Sequence, residues 1–126
     1  MAVRAGPMMA SCDLFEIIVE GRGCHSAMPH LGSDAVLAAA EITAALQTLV
    51  GRALDPVQPA VLSVTQVHAG DTWNIIPETA NLRGTVRAFS SAVQDALEAG
   101  IVRVAESIAA ANSCRAKVRY DRRYPA

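Results

Sequence analysis

Hydrophobic and polar positions along this chain switch repeatedly between a period of two and a period of three to four. From Leu14 to Glu20, Phe15, Ile17 and Val19 fall on one side and Glu16 and Glu20 on the other, as in a strand with one buried face; Ile18 breaks the alternation. Ala35, Ala39, Ile42, Leu46 and Leu49 then recur at helical spacing, with Ser33 or Asp34 placed to cap the helix and Gly51 to end it. The prolines of Asp55-Pro56-Val57-Gln58-Pro59 break that pattern, and a second strand follows from Ala60 to Ala69, carrying Val61, Leu62, Val64 and Val67. Gly70-Asp71 turns the chain. Trp73 to Pro77 reads as an irregular approach to the next strand, because a proline cannot donate to a ladder. In that next strand Leu82, Gly84, Val86 and Ala88 alternate with Arg83, Thr85 and Arg87, so one face is apolar and the other carries two guanidinium groups. Ser91-x-x-Gln94 matches a capping box, and Val93, Leu97, Ile101, Val104 and Ile108 form the stripe of a second helix. Gly100 inside that helix costs about 1 kcal/mol relative to alanine, and the sequence offers no reason for it. Ala116, Val118 and Tyr120 alternate with Lys117, Arg119 and Asp121 in a last strand.

Four strands, each with one polar face, and two striped helices come in the order strand, helix, strand, strand, helix, strand. Two layers satisfy all six elements: an α+β, ferredoxin-like βαββαβ sandwich, with a four-stranded antiparallel sheet covered on one face by both helices. No internal repeat or linker divides the 126 residues, so a single domain is expected.

Composition narrows the function classes. Hydrophobic residues make up 52%, enough for one core, and 11 basic against 12 acidic residues leave a net charge of -1, without the basic excess of a nucleic-acid binder. Aromatic residues, at 4%, are too few for base-stacking platforms. Polar residues such as Glu41, Thr43 and Gln47, or Arg103 and Glu106, interrupt the apolar stretches before they reach the roughly 20 residues of a membrane span, and the N-terminus lacks a signal-peptide pattern. No membrane segment is expected, and a cytoplasmic location is. Three cysteines, Cys12, Cys24 and Cys114, are an odd, sparse set that reads as unpaired thiols in a reducing compartment. With no closely spaced ligand cluster, the chain is expected to hold no metal.

Candidate chemistry concentrates in Gly21-Arg22-Gly23-Cys24-His25-Ser26-Ala27-Met28-Pro29-His30, the connection from the first strand to the first helix. Its glycines allow unusual backbone angles and Pro29 stiffens it, so His25 sits on a shaped loop, where binding and catalytic groups tend to lie. Gly-x-Gly-x-His-x-Ala-x-Pro-His after a strand resembles the lid loop of the aminoacylase and carboxypeptidase superfamily of dinuclear metallopeptidases. The similarity is greatest to the branch of hippurate hydrolases and indole-acetyl-amino-acid hydrolases. Many members of that branch have glycine where Cys24 stands. Asp55-Pro-x-x-Pro-Ala, Val67-His-Ala-Gly, Asn74-Ile-Ile-Pro-Glu-Thr and Leu82-Arg-Gly-Thr-Val-Arg-Ala-Phe are similar to the same branch in the same order, from about Val3 to Pro125.

The resemblance implies a lid, or dimerisation, domain that works as a homodimer and is inserted in a larger metal-dependent amidohydrolase acting on N-acyl amino acids or similar small carboxylates. Two divalent ions, zinc, manganese or similar, would belong to the absent catalytic domain. Residues 1–11 and 122–126 would be junctions to that domain, with Met1 an added start, and the chain alone would be inactive. Carried over by position, His25 matches the histidine that polarises the scissile carbonyl in the partner subunit's site, an oxyanion donor acting in trans. Asn74 matches an asparagine that holds substrate, and Arg87 an arginine that grips its carboxylate, as suits a planar guanidinium. His30 would orient the loop or touch substrate, His68 would be bonded to a neighbour, and Arg83 would be a solvated strand arginine. The alternative is a free-standing ferredoxin-like regulatory domain that binds a small molecule between subunits.

Overall fold

The structure, a computed structural model, describes residues 10–55 and 57–124. Its central strand, β1 (Cys12–Glu20), buries every second residue. After a short strand, β2 (Cys24–His25), come helix α1 (Ala35–Thr48), strand β3 (Ala60–Ala69) and a second short strand, β4 (Ile75–Ile76). Strand β5 (Thr79–Ala88), helix α2 (Ser91–Ala111) and strand β6 (Arg115–Tyr124) complete the chain. The main sheet has the order β3-β5-β1-β6, antiparallel throughout, so the expected α+β sandwich with ferredoxin-like strand order is what forms. Ser11 already belongs to it, since its amide donates to the Ala88 carbonyl at 2.6 Å, and β6 runs through residues 122–124. The remaining expected junctions, 1–9 and 125–126, lie outside the described residues.

One apolar core lies between the sheet and both helices. Ile17, Val19, Leu82 and Val86 from the sheet meet Ile42 and Leu46 of α1 and Leu97 and Ile101 of α2, all essentially without solvent contact. Each such aliphatic side chain contributes about 1.5–3 kcal/mol by its burial. Asp34 caps α1, its carboxylate accepting from the Leu37 amide at 3.0 Å. Gly51 does not end the helix. A π-type turn, Leu49–Ala53, prolongs it until the Leu54 amide bonds the Leu49 carbonyl at 3.2 Å, and this winding presses Leu49 and Val50 on the core. The continuous helical run Ala35–Ala53, 19 residues, is long and apolar enough to cross a membrane; here Ala35, Ala38, Ala39, Ile42, Leu46 and Leu49 pack on the core. The same turn accounts for Gly100, because a Cβ there would meet Leu49 Cδ2 at 2.7 Å. A helix-weakening residue is thus the condition for α2 to lie close to the end of α1.

Helix α2 is capped by Ser90, whose hydroxyl accepts from the Val93 amide at 3.2 Å, and not by a Ser91–Gln94 box. Gln94 is drawn away. It is fully buried and donates to both carboxylate oxygens of Asp13, at 2.8 and 3.0 Å, while the Tyr120 hydroxyl donates to the same group at 2.6 Å. Asp13 occupies a core-facing position of β1, and this cluster is what makes a buried carboxylate tolerable. Burial first, then the bond to Asp13, pushes the Tyr120 hydroxyl far above the usual tyrosine range, so it stays a donor. Asp13→Ala would leave the Gln94 amide and the Tyr120 hydroxyl unpartnered. Since each stranded buried group costs about 1–3 kcal/mol, we expect a loss of about 3 kcal/mol in urea unfolding, against about 1 kcal/mol for Tyr120→Phe; equal losses would contradict the cluster's role.

Candidate functional site

The histidine loop begins where β1 ends. Gly21 donates to the Glu78 carbonyl at 2.7 Å, and Arg22 and Ser33 exchange both backbone bonds, at 3.0 and 2.9 Å, closing the loop at its base. Gly21 and Gly32 make this closure possible. A Cβ on Gly21 would run into the Ser33 carbonyl, and one on Gly32 would meet the Arg22 carbonyl at 2.5 Å and Cys24 Sγ at 2.6 Å. The sequence suggested that Gly21 and Gly23 supply unusual backbone angles. Among the described glycines, however, only Gly70 has a positive φ, 77°, and the loop glycines serve close approach instead.

The loop is held at a second place. Trp73 to Pro77 was expected to be irregular, yet Ile75 and Ile76 form β4, which pairs antiparallel with β2: His25 opposite Ile75, Cys24 opposite Ile76. The pairing continues in a 2.9 Å bond from the Ser26 amide to the Asn74 carbonyl. Cys24 and Ile76 are half-buried while His25 and Ile75 are exposed, so the ribbon turns the histidine outward. His25 and Asn74, 49 positions apart in the chain, are thereby neighbours.

The ring of His25 is also oriented. The backbone amide of Ala27 donates to its Nδ1 at 3.1 Å, and the Met28 amide donates to its carbonyl at 2.9 Å. A nitrogen that accepts carries no proton, so the neutral ring bears its hydrogen on Nε2. The free end of the side chain is thus a hydrogen-bond donor facing solvent. His30 lies exposed in a short 3-10 turn, Pro29–Leu31.

Arg87 is exposed on the sheet face opposite the helices, paired across from Val61, and forms no ion pair with another described residue. It is not brought to His25. Thr79, at the loop end of β5, is eight residues from Arg87, and at about 3.3 Å per residue the two ends lie roughly 25 Å apart. Between them the open face carries a cluster that the sequence reading missed. Glu16 accepts from Asn81 Nδ2 and Arg83 Nε, both at 3.0 Å, with Arg119 Nη1 at 3.6 Å, so Arg83 is paired and not merely solvated. The alternation of β1, β5 and β6 was the available signal. A bulge at Thr65 shifts the β3 register and puts Gln66 and His68 opposite Arg83 and Asn81; His68 contacts Gln66 at 3.3 Å, a bond to a neighbour as expected. All three cysteines are free thiols, and burial, then the charge of Asp34, raises the Cys114 thiol pKa.

Two expectations follow. The bond from Asn81, then that from Arg83, holds the Glu16 carboxyl below its ordinary range. A depressed carboxylate adds stability above its unfolded pKa and loses it as pH falls through the folded one. The stability gap between the wild type and Glu16→Gln should therefore be constant near neutrality and close below about pH 4.5; a gap unchanged into acid would refute the coupling. His25, Asn74 and Arg87 support no core packing, so each should tolerate alanine within about 0.5 kcal/mol. Gly21→Ala should cost more, by forcing Ser33 away. Urea midpoints decide both.

Among the described residues no group of three or more His, Cys, Asp or Glu side chains stands together as a metal site. Residues 13–113 match the family described as the peptidase dimerisation domain. An N-acetyl-L-cysteine deacetylase of Bacillus subtilis is 41% identical over 120 residues, 95% of this chain and 29% of the deacetylase. The IAA-amino acid hydrolase ILR1-like 2 of Arabidopsis thaliana is 38% identical over 117 residues, 93% and 26% of the two chains. The solved structure of the Bacillus subtilis YXEP protein, a dinuclear metal binding peptidase from the M20 family, superposes with a TM-score of 0.76 at 35% identity, over 98% of this chain and 29% of that one. The chain thus spans less than a third of the length of each. The pinned histidine loop, the two-layer fold and these matches agree: the chain belongs to the peptidase dimerisation domain family of the M20 amidohydrolases.

Proposed function

We propose that this chain is the dimerisation and substrate-lid part of a metal-dependent amidohydrolase that cleaves the amide bond of N-acyl amino acids or related small carboxylates, and that it is inactive in isolation. One observation carries the reading: the Ala27 amide fixes the His25 tautomer, leaving an Nε2–H that points outward from a doubly anchored loop. Such a donor suits the oxygen of a scissile carbonyl, where negative charge grows as the bond is attacked. Asn74 would hold the substrate beside it and Arg87 would bind its carboxylate. Metal ions, zinc, manganese or similar, would act from the remaining two-thirds of such a hydrolase, in a cytoplasmic protein.

Homodimerisation is part of the proposal. Strand β3 is a ten-residue edge with Val61 and Val67 exposed, and Val36 and Leu37 are exposed on α1. An edge of this kind invites pairing with a second copy, and a two-fold pair is isologous. Antiparallel pairing of two β3 strands would lay the Arg87 end of one sheet beside the His25 end of the other. Arg87 and the partner's histidine loop would then stand about three strand spacings apart, roughly 15 Å, instead of the roughly 25 Å within one protomer.

The test uses the complete hydrolase. His25→Ala should lower turnover about 100- to 1,000-fold, as loss of one oxyanion-type donor does, and Arg87→Ala should weaken substrate binding as well. Mixing the His25→Ala protein with a variant inactivated at its metal site should restore part of the activity. Heterodimers that form without regaining activity would show that the histidine does not act across the pair.

A further inference from the structure

The face of the sheet opposite the helices is not flat. In one row across the strands Arg83 of β5 and Arg119 of β6 both stand directly opposite Glu16 of β1, and in the next row Thr85 and Asp121 stand opposite Leu14. Short side chains beside long ones leave a trough of about 510 Å³, whose lining includes Leu14, Glu16, Thr85, Arg83, Arg119 and Asp121. Its floor at Leu14 is half-buried and apolar, and the methylene stems of the two arginines flank it.

Charge in this trough is out of balance. Arg83 and Arg119 rise from strands about 10 Å apart and lean from both sides on one carboxylate, at 3.0 and 3.6 Å. Of their N–H groups only Nε–H of Arg83 meets a hydrogen-bond acceptor among the described residues. The side chains stay 56% and 74% exposed, so the remaining donors are open to a ligand. The other charges nearby are matched: Lys117 lies 3.6 Å from Glu20, and Arg123 donates to Asp121 at 3.1 Å. Two cations on one anion leave one positive charge without a partner. We propose that this trough binds a small organic monocarboxylate, its charge on the free N–H groups of Arg83 and Arg119 and its apolar body over Leu14. A guanidinium already oriented by a carboxylate presents its other edge in a fixed plane, which suits a second carboxylate. A single negative charge completes the balance, and a more highly charged oxyanion such as phosphate exceeds it. Arg87, four residues along the same face of β5 and about 13 Å away, takes no part.

The test is an NMR titration of this chain with benzoate, benzamide and inorganic phosphate. Benzoate should shift the amides of β1, β5 and β6 around Leu14 saturably, with a Kd on the order of 1 mM or below. Phosphate should bind more weakly, and the neutral benzamide should not saturate. Arg119→Gln should weaken benzoate binding about tenfold, as loss of a charge-assisted bond does, with Arg119→Lys in between. The exposed Arg119 packs on no core, so the urea midpoint should hold in both variants. Arg87→Ala should change the affinity less than about twofold. Equal binding of benzamide, phosphate as tight as benzoate, or no effect of Arg119→Gln would each overturn the proposal. Binding lost in Arg87→Ala instead would overturn it too, and would place the carboxylate at Arg87. The same titration of the complete hydrolase should give the same shifts; their absence there would mean that an acidic segment of the remaining chain fills the trough, and would overturn the small-ligand assignment.

Discussion

Strand β1 is hydrogen-bonded on both sides, to β5 and to β6, and everything else takes its position from that double ladder. A one-residue slip against either neighbour would send Phe15, Ile17 and Val19 into solvent and Glu16 into the core, so the register is held by the cost of the wrong face as much as by the bonds. Asp13 looks like an exception, a carboxylate on the apolar side. It is accommodated because the register also brings β6 and α2 within reach, and Tyr120 and Gln94 can donate to it. With both helices on one side, the other face is left to Glu16, Arg83, Arg119 and Arg87, which is why a chain of net charge -1 presents a basic surface there.

The histidine loop inherits its rigidity from the same strand. Glu20 is the last ladder residue of β1, and the bonds at Gly21, Arg22 and Ser33 follow without a break. A loop clamped only at its base would still swing. The β2–β4 pairing adds a second point of attachment on the far side of His25, supplied by the chain between β3 and β5. Two fixed points turn a loop into a scaffold, and in the proposed role the donor on it would not need to be ordered anew for each substrate. Preorganised donors contribute most in this way, since no reorganisation remains at the moment of reaction.

What was legible in the sequence was what depends on neighbours in the chain. The alternation in β1, β5 and β6, the stripe of α1 and the Asp34 cap are local patterns, and the four-strand, two-helix sandwich followed from them. The histidine loop was legible as a motif. What escaped depends on contacts between distant residues. Gln94 looked like the far end of a capping box until Asp13, 81 positions away, claimed it. Gly100 had no reason until Leu49 lay against it, and Ile75-Ile76, stopped by a proline, became a strand only because Cys24-His25 was there to pair with. Gly51 was read as a stop by its type alone, although the helix widened past it into a π-type turn that keeps Leu49 buried.

The separation of His25 from Arg87 is the same kind of non-local fact, and it bears on how the proposed site is built. Both lie outside the core and each fits its proposed role, but they stand at opposite ends of the sheet, roughly 25 Å apart along the strands. A small N-acyl amino acid is far shorter than that, so one protomer cannot present both groups to one molecule. Either one of the two assignments is wrong, or the site is completed by a second copy whose sheet runs the other way. Pairing through β3 satisfies the second condition by symmetry alone, without moving any element of either protomer. On that reading the edge strand is part of the catalytic architecture: a substitution on β3 that weakened the pair would lower activity although it touched neither substrate nor histidine.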